Sequence, residues 1–275
     1  MDDAGQTLVD YAIFDALRAG FGRVVVVVNP AADNGFLEHL RAGAGRYVDV
    51  VAVPQRLDAL PDGFAVPAGR VKPWGTAHAV WCAAGSINGP FATVNADDFY
   101  GRTAFAKLAD FLRRTSDGHH ALVAYELQNT LSSSGCVARG VCHTNADGFL
   151  GTITEHTRIE PATDGRIVSQ TPAGVVDLPP STPVSLNLWG FHPGFLDELT
   201  ARFHTFLSQP TDPLTSEFFL PAVVDALIRD GEADVRVLPT AERWHGVTYA
   251  ADLPAVRNAL RALREAGCYP ERLWE

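Results

Sequence analysis

The sequence predicts an α/β domain with a mainly parallel sheet and helices on both faces. Three observations carry that expectation. Residues 24–28 are five consecutive valines, and a run without alternation needs cover on both faces, as a strand inside a parallel sheet has. Amphipathic segments of helical period alternate with apolar strand-like runs through the first half of the chain. The chain has 275 residues, enough for one large α/β domain to bury most of its surface. Two smaller α/β lobes are the alternative.

The elements follow in order. Residues 7–22 carry Leu8, Tyr11, Ala12, Phe14, Asp15 and Leu17 at helical spacing, with Thr7 to cap the start and Gly20 or Gly22 to end the helix. The valine strand follows at once. A helix over 34–43 and the short strand YVDVVAV repeat the unit. Residues 54–75 hold four prolines and three glycines and read as a long irregular loop, a kind that is often functional in a compact domain. The helix TAHAVWCAAGSI leads to the strand FATVNADD, the amphipathic helix TAFAKLADFLRR to the strand HALVAYEL. From about 130 the rhythm changes. SGCVARGVCHTNADGFLGTITEH reads as two strands joined at the turn Asn145-Ala146-Asp147-Gly148, and 160–182 as an acidic, proline-rich loop. PVSLNLWGF is a strand, then come two helices (GFLDELTARFHTFL and FFLPAVVDALIRDG), the strand DVRVLP and a last helix near 252–266. This divides one domain into a parallel core, about 7–130, an antiparallel portion, about 131–250, and a C-terminal helix.

Composition narrows the function. The net charge of −10 argues against a broad basic surface for nucleic acid. Cys82, Cys136, Cys142 and Cys268 show no C-x-x-C spacing, so thiolate metal sites and a disulfide framework are poor readings, and reduced thiols in a cytoplasmic protein are expected. The start MDDAGQTLVDY has neither basic nor apolar character for a signal peptide. No apolar run reaches the roughly 20 residues that span a bilayer, so no membrane partner is expected.

Ligands of open α/β sheets collect at the carboxyl ends of strands. Asp97 and Asp98 stand at one such end, in TVNADDFYG. A carboxylate there suits Mg²⁺, which takes one or two carboxylates plus substrate phosphates; the plainer alternative is a helix cap, and Asp97 for a metal with Asp98 for structure satisfies both. Gln55 follows a strand and offers a donor and an acceptor to a base edge, though most such glutamines are loop residues. Gly75 opens a helix whose free N–H groups suit a base or phosphate. Glu155 and His156 end another strand, and Asn187 and Gly190 lie in a fourth; each alone is a weak signal. Trp74, Trp189 and Trp244 read as packing residues.

Taken together, GQTLVDYAIFDALRAGFGRVV, RVKPWGTAHAVWCA, VNADDFYG, NTLSSSGCVARGVC, PVSLNLWGF and ERWHGVTYAADLPAV resemble the sugar-phosphate nucleotidyltransferase family, and within it a bacterial branch with the KPWGT-H and NADDFYG wording. The resemblance runs from Thr7 to Trp274. It implies a GT-A-like, Rossmann-type fold and transfer of a nucleoside monophosphate from a nucleoside triphosphate to a sugar-1-phosphate, with Mg²⁺ and release of pyrophosphate. It implies Gln55, Gly75 and Thr76 at the nucleotide, Asp97 as the catalytic Mg²⁺ carboxylate, and Gly135, Glu155, His156 and Asn187 at the sugar phosphate. Homo-oligomers are common in the family.

Departures from the family pattern are specific. His156 stands where many members have Lys, and histidine is cationic at neutral pH only if its pKa is raised. The second metal carboxylate belongs just after Trp244, where the chain reads His245-Gly246-Val247-Thr248 with no acid; Asp252 is nearby in sequence. The family's first strand and its glycine-rich, basic phosphate loop have no counterpart before Thr7, which leaves the backbone beside residues 24–28 unpaired. Three explanations stay open: a longer enzyme, catalysis helped by a partner-supplied segment, and a non-catalytic relative that binds a nucleotide or sugar phosphate.

Overall fold

A computed structural model describes residues 2–30, 35–209 and 212–275. It contains helices α1 (Leu8–Ala19), α2 (Phe36–Ala42), α3 (Thr76–Ala83), α4 (Arg102–Arg114), α5 (Phe195–Ser208), α6 (Leu220–Asp230) and α7 (Leu253–Glu265). The strands are β1 (Arg23–Val28), β2 (Asp49–Pro54), β3 (Phe91–Thr93), β4 (Asp98–Phe99), β5 (His119–Glu126), β6 (Val137–Thr144), β7 (Leu150–Pro161), β8 (Ile167–Thr171), β9 (Gly174–Leu178), β10 (Pro183–Phe191), β11 (Asp234–Thr240) and β12 (His245–Gly246). Position 34, where the second helix was expected to begin, lies outside the described residues.

The chain is mixed α/β, but its large sheet is not mainly parallel. The order is β11-β5-β10-β6-β7-β8-β9, with β3 also on β10. Only β5 and β11 run parallel in it; every other pairing is antiparallel. The valine strand β1 pairs in parallel with β2 in a separate two-stranded sheet. The valine run was read correctly as parallel, and the error lay in extending that direction to the rest. Hairpins dominate the second half of the chain, and hairpins are antiparallel by construction. One of them, β8–β9, occupies the segment expected as an irregular loop. The described residues of β9 are mostly exposed, so its Asp and Gly content resembles a loop.

Helices cover both faces of the large sheet. Along β5, Ala121, Val123 and Tyr125 join α4 residues Phe105, Leu108 and Leu112 in one core. The alternate residues Leu122 and Ala124 join Phe195, Leu199 and Phe203 of α5 and Val223, Val224 and Leu227 of α6 in another. The period of two puts neighbours on opposite faces, and each buried Leu or Phe contributes about 1.5–3 kcal/mol. A third cluster joins α1 to the C-terminal segment through Leu8, Tyr11, Leu260, Tyr269 and Leu273. No helix among the described residues is long and apolar enough to cross a membrane.

Two details of the fold position the site. Strand β10 pairs with β6 at Val184 and Ser185, then with β3 from Trp189 onward, on the edge away from β5. Its ladder to β5 shifts between Ser185 and Trp189. Asn187 stands at this fork with φ 63°, the one non-glycine residue with positive φ among those described. Asn tolerates that left-handed conformation better than most residues, and such strain collects at functional sites.

Candidate functional site

The fork gathers one group of side chains. Beyond β3 the chain turns through Asn95, Asp97 and Asp98. The Asn95 backbone N–H donates to the Tyr100 hydroxyl at 2.8 Å, and that hydroxyl donates to the Leu186 carbonyl at 3.0 Å. The turn is thereby tied to β10 next to Asn187, whose carbonyl accepts from the Thr93 hydroxyl at 3.4 Å.

Asp98 is the structural member of the acidic pair. It accepts from Asn95 Nδ2 at 2.8 Å and from the Trp244 indole N–H at 2.6 Å. Burial pushes its carboxyl up, against the pull of those two donors. It does not cap α4. The N-cap is Gly101, and Glu242 from after β11 accepts from the Thr103 N–H at 2.9 Å instead. Asp97 is exposed and makes no hydrogen bond or ion pair with the described residues, which leaves a carboxylate for a ligand.

The cation of this group was missed in the sequence. Arg139 is buried and lies 4.3 Å over the Trp244 ring. It donates to the Thr130 and Ala138 carbonyls, while its Nε has no partner. Burial draws its pKa down to about 10, opposed by the charges of Asp98 and Glu155, so it stays protonated at neutral pH. His156 faces Arg139 across the β6–β7 ladder. Its Nδ1 lies 2.7 Å from the Ser169 hydroxyl, and burial, then His143, hold its pKa below the ordinary value. His156 is thus held toward its neutral form, and the buried cation is Arg139 opposite it on β6. A signal was present: Val137, Arg139 and Val141 share one strand face, and an arginine between two core valines is out of pattern.

After Trp244 the chain returns to the Asp98 turn, and the strand it forms there, His245–Gly246, carries no carboxylate. Strand β12 pairs with β4, setting Gly246 opposite Asp98. A Cβ on Gly246 would meet Trp244 at 2.2 Å and Asp98 Oδ1 at 2.8 Å, so no larger residue fits there. Asp252 does not substitute. It is buried, and its oxygens accept from the Ser132 hydroxyl at 2.7 Å and the Tyr249 N–H at 2.9 Å.

A second group lies at the end of β2. Gln55 Nε2 is 2.9 Å from the Gly75 carbonyl and 3.2 Å from His78 Nδ1. Gly75 has φ 103° and ψ −177°, a region nearly closed to other residues. Thr76, expected at the nucleotide, instead accepts from the Leu220 N–H at 3.0 Å and locks α3 to α6. Gly135 is pressed against Tyr249, whose ring a Cβ there would meet at 2.9 Å; no described contact joins it to the Asp97 turn. Trp74 donates to the Leu57 carbonyl at 2.9 Å beneath Arg70, 3.5 Å away, which fits its reading as a packing residue.

No protein-family model matches the chain, and none of the curated proteins matches it in sequence. Among the described residues no cluster of three or more His, Cys, Asp or Glu side chains is set to hold a metal. Asp97 fits Mg²⁺ only as a single carboxylate, with substrate phosphate and water as the remaining ligands.

Proposed function

We propose that the chain is a nucleotidyltransferase, with a GT-A-like arrangement in which β1–β2 and the large sheet are two parts of one nucleotide-binding face. The observation that carries this reading is the fork in β10. There the turn that carries the exposed carboxylate of Asp97 is tied through Tyr100 to β10 beside Asn187, an asparagine in a left-handed conformation, while the buried cation Arg139 acts on the neighbouring Asp98. Gln55 and Gly75 at the end of β2 supply base contacts.

In this reading an oxygen of a sugar-1-phosphate attacks the α-phosphorus of a nucleoside triphosphate. The bond to the leaving pyrophosphate breaks, and a nucleoside diphosphate sugar forms. Bound Mg²⁺ would neutralise triphosphate charge. Asp97 would supply the carboxylate that holds the ion, Arg139 contributes a positive charge near Asp98 and Glu155, and Glu155 and Asn187 orient the acceptor. Phosphoryl chemistry of this kind needs placement and charge more than a covalent intermediate.

The test is Mg²⁺-dependent pyrophosphate release over a panel of triphosphates and sugar-1-phosphates. Asp97→Asn should lower turnover about a hundredfold or more with melting unchanged. Full activity in that variant would remove Asp97 from its role.

A second reading is favoured by the valine strand. Val24 to Val28 are only half-buried, and β1 pairs with β2 alone among the described residues. A partner strand against β1 suits a chain that binds nucleotide or sugar phosphate without turnover. Saturable binding with no pyrophosphate from any substrate pair would select it.

A further inference from the structure

A cavity of about 390 Å³ opens beside Gln55, Leu57, Val71 and His78. Which hydrogen-bonding group Gln55 can turn toward it is fixed by its neighbours. Gly75 presents a carbonyl oxygen 2.9 Å from the Gln55 amide, and a carbonyl only accepts, so the amide nitrogen must face it. His78 Nε2 lies 2.8 Å from the Ala59 carbonyl oxygen. That nitrogen therefore carries the ring proton, and Nδ1 is left with a lone pair. Burial holds the His78 pKa below its ordinary value, which keeps the ring neutral. The ring is fully buried and stacks on Trp81 at an interplanar angle of 19°. Nδ1 lies 3.2 Å from Gln55 Nε2, so one amide hydrogen goes to Gly75 and the other to His78. Turning the amide over would set its oxygen against two acceptors at once.

We propose that His78 is a positioning residue that makes Gln55 a pure acceptor, so that the cavity takes a nucleobase through an N–H donor on the base. A glutamine with a free amide can make a two-point donor–acceptor contact to adenine; this one cannot, because its donors are committed. The proposal rests on the nucleotide reading of the chain and adds the sense of its base recognition.

The experiment is calorimetric binding of nucleoside triphosphates to the full chain without acceptor. The tightest of the four common bases is then compared with its analogue in which the base N–H donor is N-methylated. The wild type should lose at least about tenfold in affinity for the blocked analogue. In His78→Phe one of the two acceptors that hold the amide is gone, so the amide turns over more easily and the parent-to-analogue ratio should fall several-fold. A steric clash with the methyl group alone would leave that ratio unchanged. Gln55→Met removes the acceptor at similar volume and should bring the ratio near one, which keeps the test decisive if His78→Phe does not fold. Equal affinity for parent and analogue, an unchanged ratio in both folded variants, or no binding of any triphosphate overturns the proposal. Pyrophosphate release with an unchanged ratio would leave the transfer reading standing and sink this one; selective binding without turnover would do the reverse.

Discussion

Asp15 lies on the buried face of α1, where the helical period of Tyr11, Ala12 and Phe14 places it. It is 1% exposed, accepts from the Tyr269 hydroxyl at 2.5 Å, and leaves Oδ1 without a partner. Burial pushes its carboxyl up to about 7, only partly offset by the Tyr269 bond and Arg18. The consequence for stability runs opposite to that of a salt-bridged acid. The folded chain holds the proton more tightly than the unfolded one, so this group's contribution is fully present below about pH 4 and is lost as pH rises through about 7. The size is on the order of 4 kcal/mol at most. Asp15→Asn should therefore stabilise the chain near pH 8 and flatten its pH dependence between 4 and 7. Urea unfolding from pH 4 to pH 8 measures both, and a variant with the parental slope would remove Asp15 as the cause.

At the scale of elements, the N-terminus of α3 shows how a short motif is held in place. Gly75 precedes the helix, and a Cβ there would stand 2.6 Å from the Phe218 carbonyl oxygen. The Ala77 N–H donates to that same carbonyl at 3.0 Å, and Thr76 accepts from Leu220. Gly75→Ala would force apart the start of α3 and the segment leading to α6, in a backbone conformation that alanine avoids. It should cost about 2 kcal/mol or more and weaken nucleotide binding through Gln55; a melting temperature within a degree of the parent would contradict this. The sequence made this element legible because a glycine before an apolar helical run is a strong local signal. It likewise made α4, α6 and β1 legible, through period and composition. Sheet direction was not legible, because among the described residues β1 pairs with β2 alone, while the large sheet is ordered by long-range antiparallel pairings around β10. Asp97 and Gln55 could be picked out as polar residues at strand ends. Arg139 left only the out-of-pattern arginine between two valines, and its pairing with Trp244 was not legible, because it depends on a contact between β6 and the chain after β11, far apart in sequence.

At the scale of the whole molecule, β1 and β2 hydrogen-bond as strands only to each other among the described residues, while β5 has a neighbour on both edges. The core side of the pair rests on α1 and α2, through Val24, Val26 and Val50, and the valines remain half-buried. A two-stranded sheet is marginal by itself, and segments with fewer buried contacts open at lower free energy than the core. Native-state hydrogen exchange should therefore show β1–β2 amides exchanging at least about tenfold faster than those of β5, whose residues from His120 to Tyr125 are buried. This difference bears on the proposed function, because β2 leads directly into Gln55, whose backbone N–H donates to the Val28 carbonyl at 2.8 Å. A ligand that engages Gln55 binds the closed form of this pair and not the opened one, so by mass action it must raise protection there. Saturating nucleoside triphosphate should slow exchange in β1–β2 and leave β5 unchanged. Equal protection of β1–β2 and β5 without ligand would mean that the valine strand is held as firmly as the core, and the open edge of β1 would then carry no weakness for a ligand or partner to relieve.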